Sequence, residues 1–205
     1  MIIVNGSGLH EAVALSGTNI DLGSGDDVAS IISSGYGIRS STLAGGAGND
    51  FIAVHGYLES VISSSINLGA GNDRLFLSTE SSANYDVDTS VLDLGAGDDY
   101  IELKSARNAT IQGGDGKDTV RLTGAQQDYQ LTTLSDGTIK VTSTTQRTDG
   151  LVLANVENIV YGASANTGQA KYAIQGTVQV YQTLSATLVS ADPDGAASSE
   201  VRYQW

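Results

Sequence analysis

Cysteine is absent from the 205 residues, and there is one proline, one tryptophan, one methionine and only two phenylalanines. Without cysteine the chain forms neither disulfides nor thiolate metal sites, and cysteine-based catalysis is excluded. Basic residues are scarce: 4 Lys and 6 Arg stand against 17 Asp and 6 Glu, a net charge of −13. Neutralising phosphates needs a basic surface, so nucleic acid is not an expected partner. No apolar run approaches the ~18 residues of a membrane-spanning helix, and the opening MIIVNGSG falls far short of a signal-peptide core. What the chain does have is glycine, 25 residues in all, and Asp in preference to Glu. Asp disfavours helix interiors and suits turns and metal ligation.

The first 120 residues repeat themselves. NIDLGSGDDVASI (Asn19 to Ile31), TLAGGAGNDFIAV (Thr42 to Val54), SINLGAGNDRLFL (Ser65 to Leu77), VLDLGAGDDYIEL (Val91 to Leu103) and TIQGGDGKDTVRL (Thr110 to Leu122) each contain Gly-x-Gly-x-Asp. The first glycine falls at Gly23, Gly46, Gly69, Gly95 and Gly114, giving steps of 23, 23, 26 and 19 residues. Such a period signals a solenoid, a propeller or an array. Three residues before the first glycine stand Ile20, Leu43, Ile66, Leu92 and Ile111; after the Asp come Ala29, Ile52, Leu75, Ile101 and Val120, then Ile31, Val54, Leu77, Leu103 and Leu122. Alternation on both sides of a glycine turn reads as strand, turn, strand with one face buried. The expected fold is all-β: a right-handed parallel β-solenoid or β-roll, one coil per 19–26-residue repeat, with the aliphatic positions stacked inside.

Stacking coils ~4.8 Å apart puts Asp27, Asp50, Asp73, Asp99 and Asp118 in one column. Two such charges cost about 3 kcal/mol at an effective dielectric of ~20. Asp21, Asp26, Asp93 and Asp98 add to the load, and residues 21–118 carry a net −10. A hard divalent cation between adjacent turns relieves it, with one Asp from each turn and backbone carbonyls filling the ~6–8 oxygen positions of Ca²⁺. The paired glycines, Gly23 and Gly25, Gly46 and Gly48, Gly69 and Gly71, Gly95 and Gly97, Gly114 and Gly116, allow the backbone to turn its carbonyls toward one ion. Five turns leave four gaps, hence about four Ca²⁺ ions; Mg²⁺, which demands a strict octahedron, suits the site less well. The alternative is a metal-free solenoid, in which Asn or Asp ladders hydrogen-bond between coils.

At these residues the chain resembles the RTX, or haemolysin-type, calcium-binding repeat family, whose nonapeptide is Gly-Gly-x-Gly-x-Asp-x-U-x. Residues 45–53 (GGAGNDFIA) and 113–121 (GGDGKDTVR) fit it in full, while Leu22, Leu68 and Leu94 take the first glycine position elsewhere. The family runs its nonapeptides in tandem with ion-binding turns on both sides of the roll; here they fall on one side. The resemblance implies calcium-dependent folding outside the cell and export through a one-step secretion channel.

Beyond Asp118 the texture changes. DYQLTTLSDGTIKVTST (Asp128 to Thr144) reads as a hairpin around Ser-Asp-Gly. TDGLVLANVENIVYG (Thr148 to Gly162) is similar to the segment that often follows such repeats, on Asn155, Val156, Glu157 and Tyr161. Residues 123–162 are therefore expected to cap the open end of the 1–122 solenoid, where bare strand edges invite aggregation. Residues 163–171 read as a linker, and 172–205 resemble the opening strands of a bacterial Ig-like domain, with Trp205 in the third. A complete sandwich needs ~100 residues, so the sequence reads as cut inside that domain.

His10 and His55 stand apart with no neighbouring ligand pattern, and no Gly-x-Ser-x-Gly is present. The expected function is therefore non-enzymatic: a calcium-binding segment of a secreted or surface bacterial protein such as an adhesin. The alternative is an accessory module, or part, of a polysaccharide-active β-helix enzyme or a glycan-binding protein, with cell-surface glycan or other domains of a larger chain as partners.

Overall fold

A computed structural model describes residues 2–6, 12–162, 171–175 and 185–190. The chain divides into two units, Met1–Gly162 and Ala163–Trp205.

The first unit is a β-solenoid. After β1 (Ile2–Gly6), five coils follow, each of three strands. They are β2 (Val13–Ser16), β3 (Asn19–Asp21) and β4 (Val28–Ser33); β5 (Tyr36–Arg39), β6 (Thr42–Ala47) and β7 (Phe51–Gly56); β8 (Glu59–Ile62), β9 (Ser65–Ala70) and β10 (Arg74–Thr79); β11 (Val87–Asp88), β12 (Val91–Ala96) and β13 (Tyr100–Leu103); and β14 (Ala106–Arg107), β15 (Thr110–Asp115) and β16 (Thr119–Leu122). Equivalent strands pair in parallel from coil to coil, so each coil contributes to three lanes. The third lane, β1-β4-β7-β10-β13-β16, is continued by β20 (Asn158–Tyr161). β19 (Thr148–Ala154) closes the other two lanes, pairing with β14 through Thr148 and Asp149 and with β15 through Val152 to Ala154.

The alternation around the glycine turns implies two strands per coil; the structure has three. The extra corner lies between the first two lanes, at residues that take left-handed backbone angles: Ser40 (φ 49°), Ser63 (49°), Thr89 (47°) and Asn108 (48°), flanked by Gly17 and Gly150 in the first and last positions. L-residues other than Asn, Asp and Gly seldom adopt this region, so serine and threonine give no warning of it. A serine ladder supports the corner. Ser64 Oγ accepts the N–H of Ser41 at 3.1 Å and donates to the Ile62 carbonyl at 2.7 Å. Ser41 does the same for Thr18 and Arg39, and Ser90 for Ser64 and Asp88.

The aliphatic columns meet inside as expected. Leu43, Ile66, Leu92 and Ile111 of the second lane face Ile52, Leu75, Ile101 and Val120 of the third, all buried. The first lane adds Ile38, Val61 and Val87. The long step between the third and fourth turns is taken up by a loop between β10 and β11, pinned by buried Asp86, whose Oδ2 accepts the N–H groups of Lys104 (2.5 Å) and Ser105 (3.2 Å).

The cap is a hairpin, as its sequence implies: β17 (Gln130–Thr133) and β18 (Ile139–Ser143) pair antiparallel, and β18 pairs antiparallel with β19. Gly137 supplies the positive φ of the turn. Val141, Leu151 and Leu153 are buried against the last coil, and the ring of Tyr129 lies 5.8 Å from that of Tyr161. No helix among the described residues is long and apolar enough to cross a membrane.

In the second unit, β21 (Lys171–Gln175) pairs antiparallel with β22 (Ser185–Ser190). Most of the expected linker, the rest of the Ig-like opening with Trp205, and His10 lie outside the described residues.

Candidate metal centre

The five Gly-x-Gly-x-Asp turns join the second lane to the third, one above another. Both glycines of each turn have positive φ, for example Gly46 at 111° and Gly48 at 130°. The stacking is close: a Cβ built on Gly46 would lie 1.8 Å from the Gly23 carbonyl oxygen, and one on Gly71 1.9 Å from that of Gly48. In the second to fifth turns backbone angle and lack of room thus demand the same residue; at Gly23 and Gly25 of the first turn the angle alone does.

Two hydrogen-bond ladders run through consecutive residues of these turns in opposite directions. In the inner ladder the N–H of Asp27 donates to Asp50 Oδ1 (2.8 Å), Asp50 to Asp73 (2.7 Å), Asp73 to Asp99 (2.7 Å) and Asp99 to Asp118 (3.0 Å). The cap ends the series: Asp118 N–H donates to Glu157 Oε2 at 2.8 Å. In the outer ladder each side chain accepts from the following coil. Asp26 Oδ1 takes the N–H of Asn49 (2.7 Å), Asn49 Oδ1 that of Asn72 (2.8 Å), Asn72 Oδ1 that of Asp98 (2.7 Å) and Asp98 Oδ1 that of Lys117 (2.9 Å). Lys117 has no acceptor to offer, and the outer series stops there.

The structure brings the expected aspartates into one column, with a difference at its start. Asp50, Asp73, Asp99 and Asp118 are at most 2% exposed, and each places its carboxylate in the gap toward the preceding turn. Asp27 lies before the first gap; it gives its N–H to Asp50 and is only partly buried. The outer ladder and Glu157 are additions to the expected set. The signal of the outer ladder was in the repeat, since Asx stands before the column Asp in four of the five units.

Each inner carboxylate has one oxygen bonded and one left over. Oδ2 of Asp50, Asp73, Asp99 and Asp118 is buried without a hydrogen-bond partner. A buried, unpaired carboxylate oxygen is costly unless it is protonated or meets a cation. Burial pushes the Asp99 carboxyl up to about 7, with the charges of Asp73, Asp118 and Asp98 adding to the rise against the lowering effect of the Asp73 N–H. Asp73 and Asp118 are raised as well, first by burial, then by neighbouring carboxylates, Asp50 for the former and Glu157 and Asp98 for the latter.

These oxygens fit a hard cation by their donor chemistry: one dry, unpaired carboxylate oxygen per gap, amid stacked backbone carbonyls. Among the described residues no three acidic or histidine side chains converge on one point. An ion here would therefore draw its remaining ligands from carbonyl oxygens, which Ca²⁺ accepts readily. Of the other basic residues, Arg107 pairs with buried Asp88 on the first lane; on the third, Arg74 directly follows the column residue Asp73, and Arg121 pairs with Glu102.

The family model of the RTX calcium-binding nonapeptide repeat (4 copies) matches residues 37–53 and 105–124, which include the second and fifth turns. No curated protein matches the chain, and no solved structure does. The matched repeats and the β-solenoid together support a calcium-binding repeat segment. Repeats of this family are generally structural or binding modules and are typical of secreted bacterial proteins.

Proposed function

We propose that residues 1–122 form a calcium-binding solenoid that folds when its protein reaches extracellular calcium, as a segment of a secreted or surface bacterial protein of the adhesin type, and that residues 123–162 cap it. The observation that carries this reading is the set of four buried, unpaired Oδ2 atoms on Asp50, Asp73, Asp99 and Asp118. In this reading each of the four supplies one ligand to one gap, giving about four Ca²⁺ ions, with glycine carbonyls of adjacent turns completing each site. Bound calcium would supply the positive charge that the column lacks.

The residues of the chain do the rest. In the stacked coil the Oδ1 hydrogen bonds hold each carboxylate at its rung, so its Oδ2 is left for the ion in that gap. The left-handed glycines fix the direction of the carbonyls. Where calcium is scarce, stacking the turns forces like charges into a dry column, and the unstacked chain is favoured; binding free energy becomes folding free energy. Millimolar calcium would saturate sites of the ~10⁻⁴–10⁻³ M class found in extracellular modules. The second unit begins, in this reading, an Ig-like neighbour in a modular chain.

Scanning calorimetry with calcium and with chelator tests the proposal. The expected result is a large calcium-dependent rise in melting temperature, with about four ions bound per chain by titration calorimetry. An unchanged melting temperature overturns it.

A further inference from the structure

The four gaps between the Gly-x-Gly-x-Asp turns differ in charge. Each receives one column carboxylate, from Asp50, Asp73, Asp99 or Asp118 in turn. Each also receives one side chain of the outer ladder, which belongs to the turn before the gap. In the first gap that side chain is Asp26, whose Oδ1 accepts from the backbone N–H of Asn49 (2.7 Å) and from its Nδ2 (3.2 Å). In the fourth it is Asp98, which accepts the N–H of Lys117. In the second and third it is an uncharged amide, Asn49 or Asn72, accepting the same backbone bond at 2.8 and 2.7 Å. The end gaps of the stack thus hold two carboxylates each, and the middle gaps one.

The outer side chains stand close to the glycines whose carbonyls line the gaps. A Cβ on Gly116 would lie 3.3 Å from Asp98 Oδ1, and one on Gly97 3.0 Å from Asn72 Oδ1. Asn serves the ladder as well as Asp does, so hydrogen bonding gives no reason for carboxylates at the two ends. The other charges of the turns follow the same division. Asp21 and Asp27 flank the first turn and Asp115 lies in the fifth, whereas Arg74 directly follows Asp73 in the middle of the stack. Lys117 takes the outer position of the fifth turn, and by the sense of the ladder its side chain belongs to the junction with the cap.

From this we infer that the four gaps form two classes of calcium site. The first and fourth, which add Asp26 or Asp98 to the column carboxylate, bind the ion more tightly than the second and third, which add Asn49 or Asn72. The assignment depends on calcium binding by the turns and adds to it the residue that sets the affinity of each gap. Calcium affinity is tuned by the number of charges at a site, and one unit charge about 7 Å from a divalent ion in water changes affinity roughly tenfold. Asp26 and Asp98 are exposed and act through that charge, without ligating the ion. As calcium rises, the two ends of the stack fill first. The second and third turns, both Gly-Ala-Gly-Asn-Asp, close last, so at intermediate calcium the solenoid has clamped ends and an unfilled middle.

The test uses the full chain loaded with calcium. Stopped-flow mixing with a fluorescent chelator counts the ions as they leave the folded chain, and titration calorimetry gives their affinities. Release is expected in two phases of about two ions each, with rates differing about tenfold. Asp26→Asn and Asp98→Asn should each move one ion from the slow phase to the fast one, with the total unchanged, and the double variant should release every ion in the fast phase. Asn49→Asp combined with Asn72→Asp should do the reverse, which keeps the test independent of any fold lost in the first pair. Circular dichroism in calcium should match the parent, because Asn and Asp offer the ladder the same acceptor. A single phase from the parent overturns the inference, as does parental release from Asp26→Asn and Asp98→Asn. Loss of an ion from either variant also overturns it, since the residue is then a ligand. A chain that binds no calcium overturns the ion-binding reading and this one with it, whereas four equal ions overturn this one alone.

Discussion

The N–H of Asp73 donates to Oδ1 of Asp99 at 2.7 Å, while Oδ2 of the same Asp99 carboxylate is buried with no partner. One carboxylate thus both joins two coils and presents a bare charge between them. Asp99→Asn keeps the acceptor for Asp73 and removes the charge. It should raise the melting temperature in chelator, lower it in calcium relative to the parent, and reduce the number of bound ions; paired melts and a calcium titration read all three.

The raised carboxyls set the response to pH. Asp99, pushed up to about 7, and Asp86, pushed up to about 6 mainly by burial, bind protons more tightly in the fold than in the unfolded chain. The folded state therefore gains protons, and the calcium-free fold is stabilised, as pH falls from above 7 toward the ordinary carboxylate range. In calcium the effect of Asp99 is opposed, because protons and ions compete for the same oxygen. Melting in chelator should occur at higher temperature at pH 5 than at pH 8, and apparent calcium affinity should weaken below pH 7.

Gly71→Ala tests the packing of the turns. Its φ is 142° and its Cβ would lie 1.9 Å from a carbonyl oxygen. The expected loss is about 3 kcal/mol or more by denaturant unfolding in calcium. Gly137→Ala in the hairpin, with a φ of 88° and no atom within 4 Å of the added carbon, should cost only about 1–2 kcal/mol.

Ser64→Ala removes the rung between Ser41 and Ser90 on the corner far from the glycine turns. The buried N–H of Ser41 loses its acceptor, a loss of about 1–3 kcal/mol. Calcium stoichiometry should stay as in the parent, because the turns are untouched. A change in bound ions would place the two corners in one cooperative unit.

Much of this fold was legible because its information repeats. Leu43, Ile66, Leu92 and Ile111 stand at the same offset from the glycine in successive units, and a side chain buried in one coil is buried in the next. The column from Asp50 to Asp118 could be read the same way. The third strand per coil was not legible, since the corner depends on left-handed angles at Ser40, Ser63 and Thr89, which propensity argues against. Their neighbours Ser41, Ser64 and Ser90 do recur in step with the glycines, but serine is too common for the recurrence to stand out. Hydrogen-bonded Asx ladders between coils were legible as the alternative to ion binding, but that one carboxylate bonds through Oδ1 and leaves Oδ2 without a partner was not. Whether a carboxylate oxygen accepts an N–H or lies free depends on its rotamer, and spacing along the chain does not encode it. Glu157 could be placed in the cap from Asn155-Val156-Glu157; its reach to Asp118 follows from a shorter final turn and a longer side chain.

The opposed directions of the inner and outer ladders have a mechanical consequence. Tension applied along the stack loads the rungs of both sets at every step, so no single junction yields ahead of the others. The junction to the cap lacks the outer set, which ends at Lys117, and relies there on Glu157. Under force the rod should part first at that seam, leaving the coils above it intact.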